Sequence, residues 1–117
     1  MIQNKEICRD FNPYFLTVPM NDKGINDVDC MRDETPDLLE YVLPPEEFQK
    51  LQNAGVFKEL NETYNLLIDT YESERIPFKA CAGSLEILRE VGVEKKSIFA
   101  TALKQALNYG TFVECDF

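Results

Sequence analysis

The sequence predicts a predominantly helical α+β fold, in which about four to five helices pack with a small sheet formed by the N-terminal and C-terminal strands. Apolar residues recur at helical spacing through most of the chain, and β-favouring residues concentrate in two short segments, 14–18 and 111–117. With 117 residues, 44% of them apolar, the chain is long enough to bury one core. We therefore expect a single domain over residues 1–117.

The N-terminal third predicts a strand, a loop and a short helix. Residues 14–18 are rich in β-formers and predict the first strand. Residues 20–35 carry turn-forming pairs and scattered apolar residues without a period, which predicts a long surface loop. Thr35 has the character of an N-cap, so a short helix is expected over residues 35–42, with Pro44 as its stop.

The rest of the chain predicts helices closed by a strand. A helix is expected from Pro45 to about residue 53, and an amphipathic helix of about five turns over residues 56–73, whose aromatic stripe (Phe57, Tyr64, Tyr71) is typical of core. Two further helices are expected over residues 78–91 and 94–108, with Gly110 as the cap of the last. The β-rich segment 111–117 should pair with the first strand.

Negative charge is concentrated in residues 20–47, which hold nine acids and two bases and so carry −7 of the chain's net −9. Helix N-termini account for Asp37, Glu46 and Glu47. The others surround apolar residues such as Met31, as in an interface with an apolar anchor and a charged rim. These six acids are Asp22, Asp27, Asp29, Asp33, Glu34 and Glu40. The segment therefore predicts a surface that meets a basic protein.

The composition argues against several kinds of function. There is no histidine, and no phosphate-binding or nucleophile-elbow motif, so we do not expect an enzyme, although a small carboxylate-dependent enzyme stays an alternative. Residues 27–33 resemble a calcium loop only superficially, because Met31 and Arg32 occupy a ligand position and the glycine position, and no metal or other cofactor is expected. A net charge of −9 disfavours direct binding to nucleic acid.

The cysteines and the N-terminus bear on the compartment. The four cysteines, at positions 8, 30, 81 and 115, lie far apart; two disulfides would be possible, but free and mostly buried thiols are favoured for a chain with an adequate core. The first residues lack the apolar run of a signal peptide, and no stretch is long and apolar enough for a membrane span. We expect a cytoplasmic protein without a membrane partner.

In size, charge and its aromatic-acidic ending at residues 110–117, the chain resembles the immunity proteins of bacterial contact-dependent growth inhibition and other polymorphic toxin systems. The resemblance implies neutralisation of a cognate toxin, often a basic nuclease domain, by covering its active site. The alternative is another acidic inhibitor or nucleic-acid mimic that blocks a DNA- or RNA-binding protein. From the residues themselves, the expected partner contacts are Asp27, Asp29, Met31, Asp33, Glu34, Glu40 and Tyr41.

Overall fold

The computed structural model describes residues 14–32, 35–70 and 73–117, which form four strands and five helices. The elements are, in chain order, β1 (Phe15–Pro19), α1 (Asp22–Asp29), β2 (Leu38–Val42), α2 (Pro45–Asn53), α3 (Val56–Tyr64), β3 (Ser73–Ile76), α4 (Phe78–Glu90), α5 (Ile98–Tyr109) and β4 (Val113–Asp116). The predicted α+β class is confirmed.

The four strands form one antiparallel sheet in the order β2-β1-β4-β3. The predicted pairing of the first and last strands is confirmed, since Leu16 lies opposite Cys115 at the centre of the sheet. On its other side Leu16 lies opposite Tyr41 of β2. The carbonyl of Pro19, at the end of β1, accepts a 2.6 Å hydrogen bond from the hydroxyl of Thr111, which is itself buried. Two strands that the sequence did not predict, β2 and β3, form the edges.

The sheet has two unlike faces. The helix-covered face carries Leu16, Val18, Ile76 and Val113, all fully buried, and α5 packs across it. The opposite face, called here the open face, carries the alternate residues of the same strands. These include Thr17, Glu40, Arg75, Glu114 and Asp116, none of which is fully buried. Among the described elements, α1 packs on the open side of β1.

Residues 22–29 form α1, so the prediction of a loop over residues 20–35 is wrong for that stretch. The Asn21 side chain caps the helix by accepting a 2.8 Å hydrogen bond from the backbone N–H of Gly24. Gly24 is buried against the backbone carbonyl of Asp37, which a Cβ at this position would overlap. The helical signals in the sequence were the cap at Asn21 and the apolar pair Ile25 and Val28. Gly24 and the turn-forming polar residues around it favoured a loop instead.

Residues 38–42 form β2, so the prediction of a helix over residues 35–42 is wrong. The hydroxyl of Thr35 accepts a 3.3 Å hydrogen bond from the N–H of Asp37, which makes a turn before the strand and not a helix cap. Leu39 and Tyr41 pack against the core while Glu40 and Val42 are exposed. This alternation with period two is the strand signal.

The helix predicted over residues 56–73 is too long, because α3 ends at Tyr64. Asn65 adopts a left-handed conformation at φ 57°, which ends the helix. The Asn61 side chain then holds the following loop, accepting from the N–H of Ile68 at 2.8 Å and donating to its carbonyl at 3.1 Å. Of the predicted aromatic stripe, Phe57 is buried, Tyr64 is partly buried, and Tyr71 lies outside the described residues.

The helices predicted at residues 45–53 and 78–91 are confirmed within a residue, and the last helix begins at Ile98, four residues later than expected. Its start is held by Glu47, whose carboxylate accepts hydrogen bonds from the hydroxyl of Ser97 at 2.6 Å and from the N–H groups of Ile98 and Phe99. The predicted left-handed cap at Gly110 is confirmed. The acidic residue Glu47 therefore stabilises a helix other than its own.

Candidate partner-binding groove

A groove of about 250 Å³ lies between the sheet and the C-terminal end of α1, and we call it the open-face groove. Its lining residues come from all four strands and from the end of α1: Thr17, Val28, Met31, Arg32, Leu38, Glu40, Ser73, Glu114 and Asp116. Its volume is smaller than the roughly 300 Å³ at the lower end of the range for small-molecule sites. Its size suits a side chain of another protein better than a drug-sized ligand.

Met31 lies at the lip of this groove in an unfavourable backbone conformation. The N–H of Met31 donates to the carbonyl of Val28 and the N–H of Arg32 to that of Asp27, the hydrogen-bond pattern that ends a helix with a left-handed residue. That residue is usually glycine, but here it is Met31 at φ 57°. The conformation costs about 1 kcal/mol for a residue with a Cβ. The Met31 side chain is 92% exposed, so it gains no burial in return.

Asp27 was predicted to be a charged surface contact, but it is only 1% exposed. Its carboxylate accepts from Lys23 at 3.2 Å and from Arg32 at 3.4 Å. Burial alone would raise the pKa of Asp27, but the hydrogen bonds from Lys23, Thr35 and Arg32 and the charge of Lys23 hold it below the ordinary 3.8. Asp27 therefore holds the end of α1 in place through internal ion pairs.

Asp29 takes part in a link between α1 and the sheet. Arg75 of β3 donates to the carboxylates of Asp29 and Glu114, both at 2.9 Å. Its guanidinium also lies 3.8 Å from the centre of the Phe112 ring, a cation–π contact. The predicted contact Asp29 is thus ion-paired within the protein, although its side chain is still 53% exposed.

Glu40 and Tyr41 were predicted as neighbours on one helix, but they point to opposite sides of β2. Glu40 lines the open-face groove together with Met31, so the structure brings these two predicted residues together. Tyr41 packs against the core on the helix-covered side, where burial and the nearby Tyr109 raise its pKa. The two remaining predicted contacts, Asp33 and Glu34, lie outside the described residues.

The groove also contains acids that the sequence did not single out. Glu114 and Asp116 reach it because β4 lies beside β1, opposite Thr17 and Phe15 respectively. Both are far from residues 20–47 in sequence, so charge counting within that segment could not find them. The available signal was the alternation of Val113 and Cys115 with two acids in a predicted strand.

Other acids of the charged segment have structural partners. Asp37 accepts from Lys23 at 3.1 Å and from Asn21 at 2.9 Å, and these hydrogen bonds lower its pKa from 3.8. It lies before β2 and not at a helix N-terminus as predicted. Asp22, in contrast, lies in the first turn of α1, where the helix dipole favours a carboxylate. Several acids of residues 20–47 are therefore held by internal partners, so fewer of them are available for binding than the formal charge suggests.

A second depression, of about 360 Å³, lies between α2, α3 and the loop that follows α3. Phe48, Phe57 and Phe117 form its floor, and they are packed ring against ring, with centroids 5.2 to 5.5 Å apart. Its rim mixes Lys58 with Glu62 among polar residues. Because none of the residues predicted for partner binding lines it, the open-face groove is the better candidate.

Within residues 14–32, 35–70 and 73–117, no three side chains of the metal-ligating types lie close enough to hold an ion, and no helix is long and apolar enough to cross a membrane. In the same ranges Cys30, Cys81 and Cys115 are free thiols; the first is exposed and the other two are buried, while Cys8 lies outside them. Comparison with protein families, with curated proteins and with solved structures finds no match.

Proposed function

We propose that this protein is a cytoplasmic immunity protein, which binds a basic toxin domain through the open-face groove and neutralises it. The observation that carries the proposal is Met31, an apolar side chain that is 92% exposed and held in a left-handed conformation. A position that costs folding free energy and contributes no internal packing is expected where the exposed side chain is used in contact with another molecule. Met31 is the apolar anchor of the proposed interface.

The charge of the protein supports a basic partner. The chain carries 21 acids against 12 bases, and Glu40 and Asp116 present carboxylates in the same groove as Met31. Glu40 has no side-chain partner among the described residues, and Asp116 is held only by the hydroxyl of Ser73, at 3.0 Å. A net charge of −9 also steers a basic protein toward this one and makes association fall with salt.

The proposal assigns different roles to the residues of the groove. Met31 provides apolar contact area, while Glu40 and Asp116 pair with lysine or arginine side chains of the partner. Arg75 of β3 pairs with Asp29 and so helps to keep the end of α1, which borders the groove, against the sheet. A nuclease whose active site is lined by basic residues has the complementary charge.

The test is capture from a lysate of the source organism, followed by an activity assay on the captured protein. The tagged wild-type protein should retain a basic protein at low salt and should suppress that protein's nuclease activity in a purified mixture. The variant Glu40→Lys/Asp116→Lys should weaken capture and inhibition by more than about tenfold, because two attractive contacts become repulsive.

The matched control is Glu62→Lys/Glu90→Lys, which changes the net charge equally at two exposed positions outside the groove. It should lower capture only through general steering, by about threefold or less at physiological salt. Equal loss in both variants would show that total charge and not the groove governs binding. A captured protein that stays fully active in the mixture would refute neutralisation.

A further inference from the structure

The edge of the sheet at β2 offers unpaired main-chain groups. Leu43 donates its N–H to Tyr14, and Asp37 accepts from the N–H of Met20, both at 2.9 Å. In an antiparallel pair the residues bonded to the neighbouring strand alternate, so residues 37, 39, 41 and 43 bond to β1. The N–H and C=O groups of Leu38, Glu40 and Val42 therefore point away from the sheet. No described residue pairs with them.

At the opposite edge of the sheet, β3, one outward-pointing donor is used within the protein. The carboxylate of Glu74 accepts from the N–H of Arg75, at 2.9 Å, and from the N–H of Leu67 in the loop after α3, at 2.7 Å. An outward-pointing donor of that edge is thus used internally. At β2, in contrast, the outward N–H groups of Leu38, Glu40 and Val42 have no partner among the described residues, so they are left for another chain.

The side chains along this edge determine what can add to it. Glu40 lies at its centre on the open face, and Val42, beside it, is 45% exposed. A second copy of this chain, paired antiparallel about Glu40, would place two carboxylates directly opposite each other, which is destabilising. A strand with lysine or arginine at that position would form a favourable cross-strand pair. Pro44, two residues further on, limits the edge to a short segment.

We propose that the basic partner binds by adding an extended segment antiparallel to β2, with a lysine or arginine opposite Glu40. The inference rests on the proposed function and specifies how the partner is held. Main-chain hydrogen bonds to Leu38, Glu40 and Val42 hold the segment. Its basic side chains then lie on the open face, next to the groove that Met31 borders.

The test uses a short capped peptide in which lysine alternates with threonine, added to the isotope-labelled full chain and followed by amide hydrogen exchange. In an antiparallel pair, the peptide residue opposite Glu40 donates its N–H to the Glu40 carbonyl and accepts from the Glu40 N–H. With a lysine opposite Glu40, the lysines are therefore the peptide residues whose main chain bonds to the β2 edge. Exchange at the amides of Leu38, Glu40 and Val42 should slow at least about tenfold. The same peptide methylated on its lysine main-chain nitrogens, with its charge unchanged, should give no protection.

Two variants of the protein complete the test. Val42→Pro removes one outward N–H, a change that an edge strand tolerates, and should weaken the peptide about fivefold, which is what one hydrogen bond contributes. Val42→Thr keeps that N–H and should bind as the wild type does. Binding that is equal for both peptides and both variants would overturn strand addition.

The outcomes also separate this inference from the proposed function. Chemical-shift changes confined to the groove at Thr17, Met31 and Asp116, without protection at the β2 edge, would overturn strand addition and leave the basic-partner proposal standing. An unchanged spectrum at millimolar peptide would count against both. A glutamate-threonine peptide that protects the same amides would show that the edge accepts any strand and would refute the requirement for a basic one.

Discussion

The two faces of the sheet differ in what their side chains do for the fold. On the helix-covered face, Leu16, Val18 and Val113 are fully buried. On the open face, ion pairs such as Arg75 with Glu114 lie beside exposed groups such as the Glu40 carboxylate, which has no side-chain partner among the described residues. Apolar burial contributes far more to folding than exposed charge does, so stability is concentrated on one face. The open face contributes less to the free energy of unfolding.

The largest expected difference between the faces is at two consecutive residues of β1. Leu16→Ala should lower the free energy of unfolding by about 3 kcal/mol, because it leaves a cavity in the core. Thr17→Ala, on the open face, should cost less than about 1 kcal/mol. Urea unfolding of the two variants measures this difference. Similar losses of unfolding free energy would contradict the conclusion that stability is concentrated on the helix-covered face.

Gly24→Ala tests how closely α1 must approach the open side. The added methyl group would overlap the backbone carbonyl of Asp37, which cannot move aside as a side chain could. We expect a loss of about 2 kcal/mol from overpacking, despite the better helix propensity of alanine. Asn26→Ala, at an exposed position of the same helix, is the control and should be close to neutral. A Gly24→Ala variant as stable as the wild type would show that α1 is loosely attached.

Met31→Gly should separate folding from binding. Glycine accepts the left-handed conformation without strain. The free energy of unfolding of the variant should therefore be about 1 kcal/mol higher than that of the wild type. Partner capture should fall about tenfold, the effect of losing an anchor side chain. Asn65→Gly is the control, because asparagine already tolerates that conformation and lies outside the groove. Capture that is unchanged in Met31→Gly would remove the main support for the proposed interface.

Acid should loosen the attachment of α1. The folded pKa values of Asp27 and Asp37 lie below their ordinary 3.8, so the stability that they contribute is fully present above that pH and is lost as the pH falls through the folded values. With no histidine in the chain, unfolding free energy should change little between about pH 8 and pH 5. Urea unfolding at about pH 5 and pH 3 should show a smaller drop for Asp27→Asn than for the wild type.

The matching measurement on the helix side is Glu94→Gln. Burial raises the pKa of Glu94, but Arg89 and Lys104 outweigh it and hold that pKa below the ordinary 4.5. This carboxylate should therefore lose its contribution as the pH falls below about 4.5, by the same linkage. Urea unfolding at about pH 5 and pH 3 should therefore show a smaller drop for Glu94→Gln than for the wild type, and equal drops would contradict this contribution.

The sequence predicted the fold class and the central strand pair because long apolar periods and β-rich ends are local signals. It failed where a short element depends on its surroundings. Residues 35–42 begin with a helix-like cap but become a strand, since pairing with β1 outweighs a local preference. The same error placed Tyr41 and Glu40 on one helix, whereas their side chains point to opposite faces of β2. Of the nine residues that line the groove, the sequence had singled out Met31 and Glu40, whereas the place of Glu114 and Asp116 beside them depends on the strand order.

The strand order also affects how the chain is made. β1 lies at the centre of the sheet, yet its neighbour β4 consists of residues 113–116, about a hundred positions later. During synthesis β1 therefore remains without this partner until about a hundred further residues have been joined. Pairing across so large a sequence separation is slow, because a long loop must close before any contact forms. Newly made chains should thus expose an unfinished sheet, and early help from a chaperone should raise the yield of folded protein.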